Sequence, residues 1–272
     1  MPVIPPFLGR LRRGEDFIGS GFLVGDGTLV VTCAHVVGDP GTGAVNAGRE
    51  LMFEPLASLQ QASERASSSP LGWSIQTTEL FDFRSDIAIL ERKKDGSSRE
   101  LASEAALVAP SRGLDFGELR GYGWRTAGYS LLPDNEATYD FTSTAGLVIG
   151  PAIREGVEVL QLRGNEVQRG MSGAPVILDN YGVVIGVISQ RFHSPDNYSS
   201  NTVWAVRSEN VLRVARGLVA AVPIAKELSE TLTAFDKLQR IAPRMSSEAR
   251  ISVEVEIARG YVFGDSIGGG DQ

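Results

Sequence analysis

From Phe17 onward the chain alternates short apolar runs with glycine-bearing turns, and this rhythm limits the fold more than any other feature. Phe17–Val24 and Thr28–Thr32 are apolar runs joined by Gly25-Asp26-Gly27, a strong hairpin signal because glycine accepts the positive φ that tight hairpin turns demand. Ile87–Arg92 reads as a buried strand in which Ala88 allows close packing. Further strands are predicted over 106–109, 118–124, 138–149, 157–163, 174–178, 182–191 and 202–206, with exposed loops over 38–50 and 57–72. Many short strands with frequent turns favour a β-barrel or sandwich over an α/β architecture. At Ser208–Val222 the period changes: Val211, Leu212, Val214, Ala215, Leu218 and Val219 recur at helical spacing, which predicts a helix closing the domain.

Pro223 marks a break, and two units are expected, 1–222 and 223–272. In the second, Leu228, Leu232, Phe235, Leu238 and Ile241 share one face of a predicted amphipathic helix over 225–242. Ile251, Val253, Val255 and Ile257 alternate with polar residues as an edge strand would, and Gly264–Gln272 reads as a flexible tail.

At 272 residues, with 42% hydrophobic and 22% charged, the chain can bury one large core plus a small appendage. No apolar run approaches the ~18 residues that span a bilayer, so membrane insertion is not indicated. The start, Met1-Pro2-Val3-Ile4-Pro5-Pro6-Phe7-Leu8, lacks the basic and long apolar regions of a secretory signal, which makes the cytoplasm the simplest location. Cys33 is the single cysteine, so no intrachain disulfide forms, and this suits a reducing compartment. With only His35 and His193 beside it, a structural zinc site of the Cys/His type is excluded, and no cofactor is expected. A net charge of −7 argues against non-specific nucleic-acid binding, which needs a positive surface to displace counterions. Polypeptide is the best remaining substrate class.

Three segments carry chemistry. Gly170-Met171-Ser172-Gly173-Ala174-Pro175 sets a serine between glycines, where a hydroxyl and neighbouring backbone N–H groups can face one reacting atom. Thr32-Cys33-Ala34-His35-Val36-Val37 puts a histidine at the end of an apolar run, and Ser85-Asp86-Ile87-Ala88-Ile89-Leu90 puts an aspartate at the head of another. A nucleophilic serine needs a base for its proton, and the base needs an acceptor to fix its tautomer. Each residue has a plain alternative: Ser172 as a turn residue, His35 as a satisfied core histidine, Asp86 as the cap of a turn with Asp82 as its competitor.

The chain order His35, Asp86, Ser172 resembles that of the chymotrypsin-like, trypsin-fold serine peptidases, and the resemblance covers about residues 15 to 221. The nearest in style are disulfide-free bacterial members, including the HtrA type and those fused to signalling ATPases in bacterial defence proteins. The resemblance implies an all-β fold of two packed six-stranded antiparallel β-barrels with a closing C-terminal helix, followed here by a short helix and strand extension. It implies a catalytic triad of His35, Asp86 and Ser172, and an oxyanion hole from the backbone N–H groups of Gly170 and Ser172.

By the same register Glu166 falls at the floor of the primary pocket, where a carboxylate favours Arg or Lys beside the scissile bond. Ser189 falls near Asp86, and Gln190 and Arg191 fall beside the substrate. Arg191 has several readings: a partner for Glu166, a side chain that narrows the pocket, or a selector of acidic substrates. That Glu166 and Arg191 are solvated loop charges is an equally good one. Members activated by N-terminal cleavage carry an aspartate where this chain has Met171, so control is expected instead from a neighbouring domain or subunit that orders the loops around 164–170. The tail resembles a connector to a further domain and offers a docking face for a partner. The rival reading is a catalytically silent peptidase-like module that grips a peptide as an added strand beside residues 187–191.

Overall fold

A computed structural model gives the fold and describes residues 5–39, 41–42, 44–45, 50–55, 73–93, 105–111, 120–131, 139–164, 167–179, 181–192 and 201–222. The first barrel closes in the order β1 (Leu8–Arg13), β2 (Asp16–Val24), β3 (Leu29–Thr32), β8 (Ile87–Arg92), β7 (Trp73–Asp82) and β6 (Leu51–Pro55), with every pair antiparallel. A two-stranded ribbon, β4 (Gly38–Asp39) and β5 (Ala44–Val45), stands beside it. The second barrel closes in the order β10 (Tyr139–Arg154), β11 (Val157–Gly164), β14 (Thr202–Arg207), β13 (Val184–Ile188), β12 (Pro175–Leu178) and β9 (Gly123–Leu131). The expected fold of two six-stranded barrels is therefore the one observed.

The β2–β3 hairpin forms where its glycines predict it. Gly25 and Gly27 take φ of 67° and 83°, Gly27 N donates to Val24 O, and Asp26 Oδ1 accepts from Thr28 N at 3.1 Å. Strands β3, β12 and β13 are buried along their whole length, which explains why they read as continuous apolar runs rather than as alternation.

Five strands escaped the sequence reading, of which β4 and β5 are two-residue pieces within the loop expected over 38–50. In β1 only Leu8 and Leu11 are core residues, and Arg10, Arg12 and Arg13 mask the pattern; in β6 the buried Glu54 pairs with Arg10 and Arg12. In β7, Trp73 and Ile75 point inward among polar neighbours. Strand β9 begins at Gly123, later than the 118–124 prediction, and the 182–191 run divides into β13 and a 3₁₀ turn at Gln190–Phe192.

The closing helix, α2 (Ser208–Ala215), is shorter than predicted because Arg216 takes a left-handed φ of 49° and ends it. It packs on β8 and β13 through Val211, Val214 and Ala215. Arg207, 1% exposed, enters the helix bonded to Glu158, Glu209 and Ser111 Oγ, which ties β11, α2 and the segment between the barrels together. The predicted helix over 225–242, the strand at 251–257, the tail and the loop over 57–72 lie outside the described residues.

Candidate active site

His35 sits on a single helical turn, α1 (Ala34–Val37), directly after β3, and Asp86 immediately precedes β8. Because β3 pairs with β8 so that Thr32 faces Ala88, the ladder itself brings the two residues together. Asp86 is fully buried, and its Oδ1 accepts from the His35 backbone N–H at 3.0 Å. His35 Nδ1 lies 2.9 Å from Oδ1 and 2.8 Å from Oδ2. An ionised carboxylate only accepts, so Nδ1 carries the proton and Nε2 of the neutral ring is left as an acceptor. Ser189 Oγ donates to Asp86 Oδ2 at 2.5 Å, a third bond to the same carboxylate.

Asp86 holds a left-handed φ of 56°, and the turn before it supports that conformation. Asp82 accepts from Arg84 N at 2.9 Å, from Ser85 Oγ at 2.8 Å and from Arg213 of α2. Burial works to raise the Asp82 pKa, but these hydrogen bonds outweigh it and hold the carboxyl below its usual range. Asp82 thus acts as the hub of the turn while Asp86 faces the histidine.

The Ser172 loop is shaped by its glycines. Gly170 and Gly173 adopt φ of 100° and 92°, and a Cβ on Gly173 would collide with Ser20 O and Thr32 Oγ1. Ala174 N donates to Met171 O at 2.9 Å, so the Ser172 N–H on the opposite end of that peptide plane is turned away from it. Among the described residues neither Gly170 N nor Ser172 N donates to a protein acceptor, and the pair is available to an incoming oxygen. Ser172 is 4% exposed. Its hydroxyl accepts from Gln190 N at 3.4 Å, and among the described residues no hydrogen bond joins it to the His35 ring. Gln190 Nε2 donates to Gln168 O at 2.6 Å and bridges the segment before the nucleophile to the end of β13.

Of the residues expected at the specificity pocket, Glu166 lies outside the described residues. Arg191 pairs with Glu155 at 3.2 Å, donates to Phe83 O, and stacks over Phe192 at 5.6 Å. These contacts carry it toward the β7–β8 turn and the β10–β11 turn. The sequence reading passed over Ser20, Gln168 and the Asp82–Arg213 pair. For Ser20 a signal existed, since two glycines flanking one strand residue mark a close backbone approach.

Cys33 Sγ, the His35 ring and an Asp86 oxygen lie within 4.8 Å of one another, the spacing of a small ligand cluster. Metal ligation would need a thiolate and free carboxylate lone pairs. Burial, reinforced by the Asp86 charge, pushes the Cys33 thiol well up, its Sγ donates to Ile188 O at 3.2 Å, and both Asp86 oxygens are occupied by His35 and Ser189. The donor set therefore fits a histidine and its orienter better than a metal centre. A cavity of about 500 Å³ lies behind the Asp86 turn, between Asp82, Ser85, Gly156 and the Arg207, Glu209 and Arg213 side chains, and neither His35 nor Ser172 lines it.

A search of curated protein sequences returns no match. Two solved structures described as "HtrA-type protease AlgW with decapeptide" and "HtrA-type protease AlgW with tripeptide" each superpose with a TM-score of 0.52 at 14% identity. Each match covers 78% of this chain, and 64% and 60% respectively of theirs, so the chain spans less than two thirds of their length; at that identity the likeness is one of fold. Among the described residues no helix is long and apolar enough to cross a membrane. The sequence profile described as "Trypsin-like peptidase domain" matches residues 19–187, which include His35, Asp86 and Ser172 and make up more than half of the chain: the protein belongs to the trypsin-like peptidase domain family.

Proposed function

We propose that the chain is a serine endopeptidase that hydrolyses peptide bonds in a protein substrate with His35, Asp86 and Ser172. The observation that carries this reading is His35 Nδ1 held 2.9 and 2.8 Å from the two oxygens of the buried Asp86 carboxylate. In the proposed reaction Ser172 Oγ attacks the substrate carbonyl carbon while its proton passes to His35 Nε2. The carbonyl oxygen becomes an oxyanion between the Gly170 and Ser172 N–H groups. Collapse breaks the C–N bond, and His35 returns the proton to the leaving amine, which leaves an acyl ester on Ser172. Water then attacks that ester with His35 as base, releasing the acid and restoring the serine. Asp86 stays ionised and stabilises the imidazolium. Gln190 and Arg191, after β13, belong to the substrate side of the site in this reading, and Glu166 to the pocket floor. That the AlgW structures hold a decapeptide and a tripeptide supports a polypeptide as the substrate class.

Regulation by a partner or adjacent domain, in a bacterial signalling or defence protein of the cytoplasm, is part of the proposal. The support for regulation is the Gln190–Gln168 bond together with the Gln190 N–H on Ser172, which tie the segment before Ser172 and its hydroxyl to the end of β13. The same contacts favour the second reading, a silent peptide-binding module. The test is digestion of a peptide library by the wild-type chain and by S172A, with and without the natural neighbouring domain. Cleavage by the wild type alone supports the peptidase; peptide binding without cleavage in every arm supports the silent module; cleavage that survives S172A removes Ser172 from the mechanism.

A further inference from the structure

Strand β2 pairs with β3 only from Phe22 to Val24, so upstream of Phe22 its edge is open to the second barrel. Ser20 fills that edge and is fully buried. Its N–H donates to Ser172 O at 2.9 Å, and its carbonyl accepts from Thr32 Oγ1 at 2.8 Å. Its hydroxyl donates to Gly170 O at 3.2 Å and accepts from Tyr129 N on β9 at 3.0 Å. One residue of the first barrel therefore holds two carbonyls of the loop whose N–H groups are proposed to bind the oxyanion, and braces that grip on the second barrel. Space is as tight as the bonding: a Cβ on Gly128 would stand 2.8 Å from Ser20 Oγ.

The peptide planes explain what this does. The plane joining Gly170 to Met171 is held by the Ser20 hydroxyl at its carbonyl and by Met171 N donating to Gln168 O at 3.2 Å. The next plane is held by Ala174 N on Met171 O at 2.9 Å. The plane after it is held by Ser20 N at its carbonyl and by Gly173 N donating to Ile188 O at 2.9 Å. The plane before Gly170, which carries the Gly170 N–H, has no bond among the described residues at either end. That N–H is joined to the following plane through the Gly170 Cα, so fixing the following plane places the Cα from which the N–H is aimed. The Ser20 hydroxyl supplies one of the two bonds that fix that plane.

We infer that Ser20 is a positioning residue for the oxyanion loop, clamping the Gly170 and Ser172 carbonyls so that the N–H groups of the same two residues converge on one oxygen. This rests on the peptidase reading above. Complete loss of one oxyanion donor slows the chemical step by about 10² to 10³, and a donor that is misdirected rather than removed is expected to cost about tenfold.

The test takes a peptide that the wild-type chain cleaves in the library digest and measures kcat and KM for the wild type, S20A and S20C. The cysteine keeps the shape of serine with a weaker donor. The expected result is a kcat about tenfold lower in S20A, an intermediate kcat in S20C and KM within about twofold of wild type, because the lost bond acts on the transition state and not on substrate binding. If S20A does not fold, S20C against wild type decides. Wild-type kcat in a folded variant, or a loss confined to KM, overturns the role of Ser20 and leaves the peptidase reading intact. If the wild type cleaves no peptide in any arm, the peptidase reading falls and the role of Ser20 falls with it.

Discussion

The His35–Asp86 pair and the Ser172 loop are held by different means. The pair sits at the ends of β3 and β8, which are joined in one ladder, and the Asp86 carboxylate takes bonds of 2.5 to 3.0 Å from His35 and Ser189. Ser172 lies on the connection between β11 and β12, and among the described residues its hydroxyl accepts one 3.4 Å bond, from Gln190 N, and donates none to His35. A sheet ladder fixes His35 and Asp86 as part of the core, whereas Ser172 depends on loop contacts, and loops are the low-stability end of a fold. Control of such a site is easiest to apply where the fewest bonds hold the chain, at the peptide plane before Gly170.

The largest expected effect attacks the rigid half. D86N keeps the shape of the side chain but presents an amide to Nδ1, which favours the wrong tautomer, and kcat/KM should fall about 10⁴-fold. Steady-state kinetics on a cleaved peptide, with a circular dichroism spectrum unchanged from wild type, checks it. G173A attacks the loop half: its methyl meets Ser20 O and Thr32 Oγ1 and its φ of 92° disfavours a side chain, so the loop must move off β2. A displacement near 1 Å costs about 10²-fold in rate, and the strain should cost about 3 kcal/mol in a urea unfolding curve.

Smaller effects sharpen the contrast. S189A removes one of the bonds on Asp86 while the two from His35 remain, and about a tenfold loss of kcat/KM is expected, since a hydrogen bond to a charged group contributes about 1.5 kcal/mol or more. Q190A removes the bridge to Gln168, a contact that opposes opening, and is expected to raise kcat/KM of the isolated chain by about fivefold, the equivalent of ~1 kcal/mol. A fall in Q190A would mean that the bridge shapes the competent site and does not restrain it.

The same division decides what could be read from the sequence. His35 and Asp86 were legible because each borders a fully buried apolar strand, Leu29–Thr32 or Ile87–Leu90, and such runs survive without knowledge of partners. Ser172 was legible through its glycines. Strands β1 and β6 were not, because their pattern is completed only in space: Arg10 and Arg12 reach Glu54, which is buried but paired, and Arg10 also stacks over Tyr129 at 5.7 Å. The turn at Gln190–Phe192 was hidden for a related reason, since the apolar run of β13 gives no sign that Gln190 will leave the strand to meet Gln168 and Ser172. Arg191 has several sequence readings, one of them a pair with Glu166, which lies outside the described residues; among the described residues its partners are Glu155 and Phe83 O, on two turns remote in sequence from the pocket motif.

The most direct test of the central claim, that Ser172 is a nucleophile served by His35, is the intact mass of the chain after reaction with a fluorophosphonate, followed by peptide mapping of the adduct. The account predicts a single adduct on Ser172 in the wild type, none in S172A, and a rate lower by several orders of magnitude in H35A. Failure of the wild type to react at all, with or without any neighbouring domain, or reaction of H35A at the wild-type rate, would contradict it.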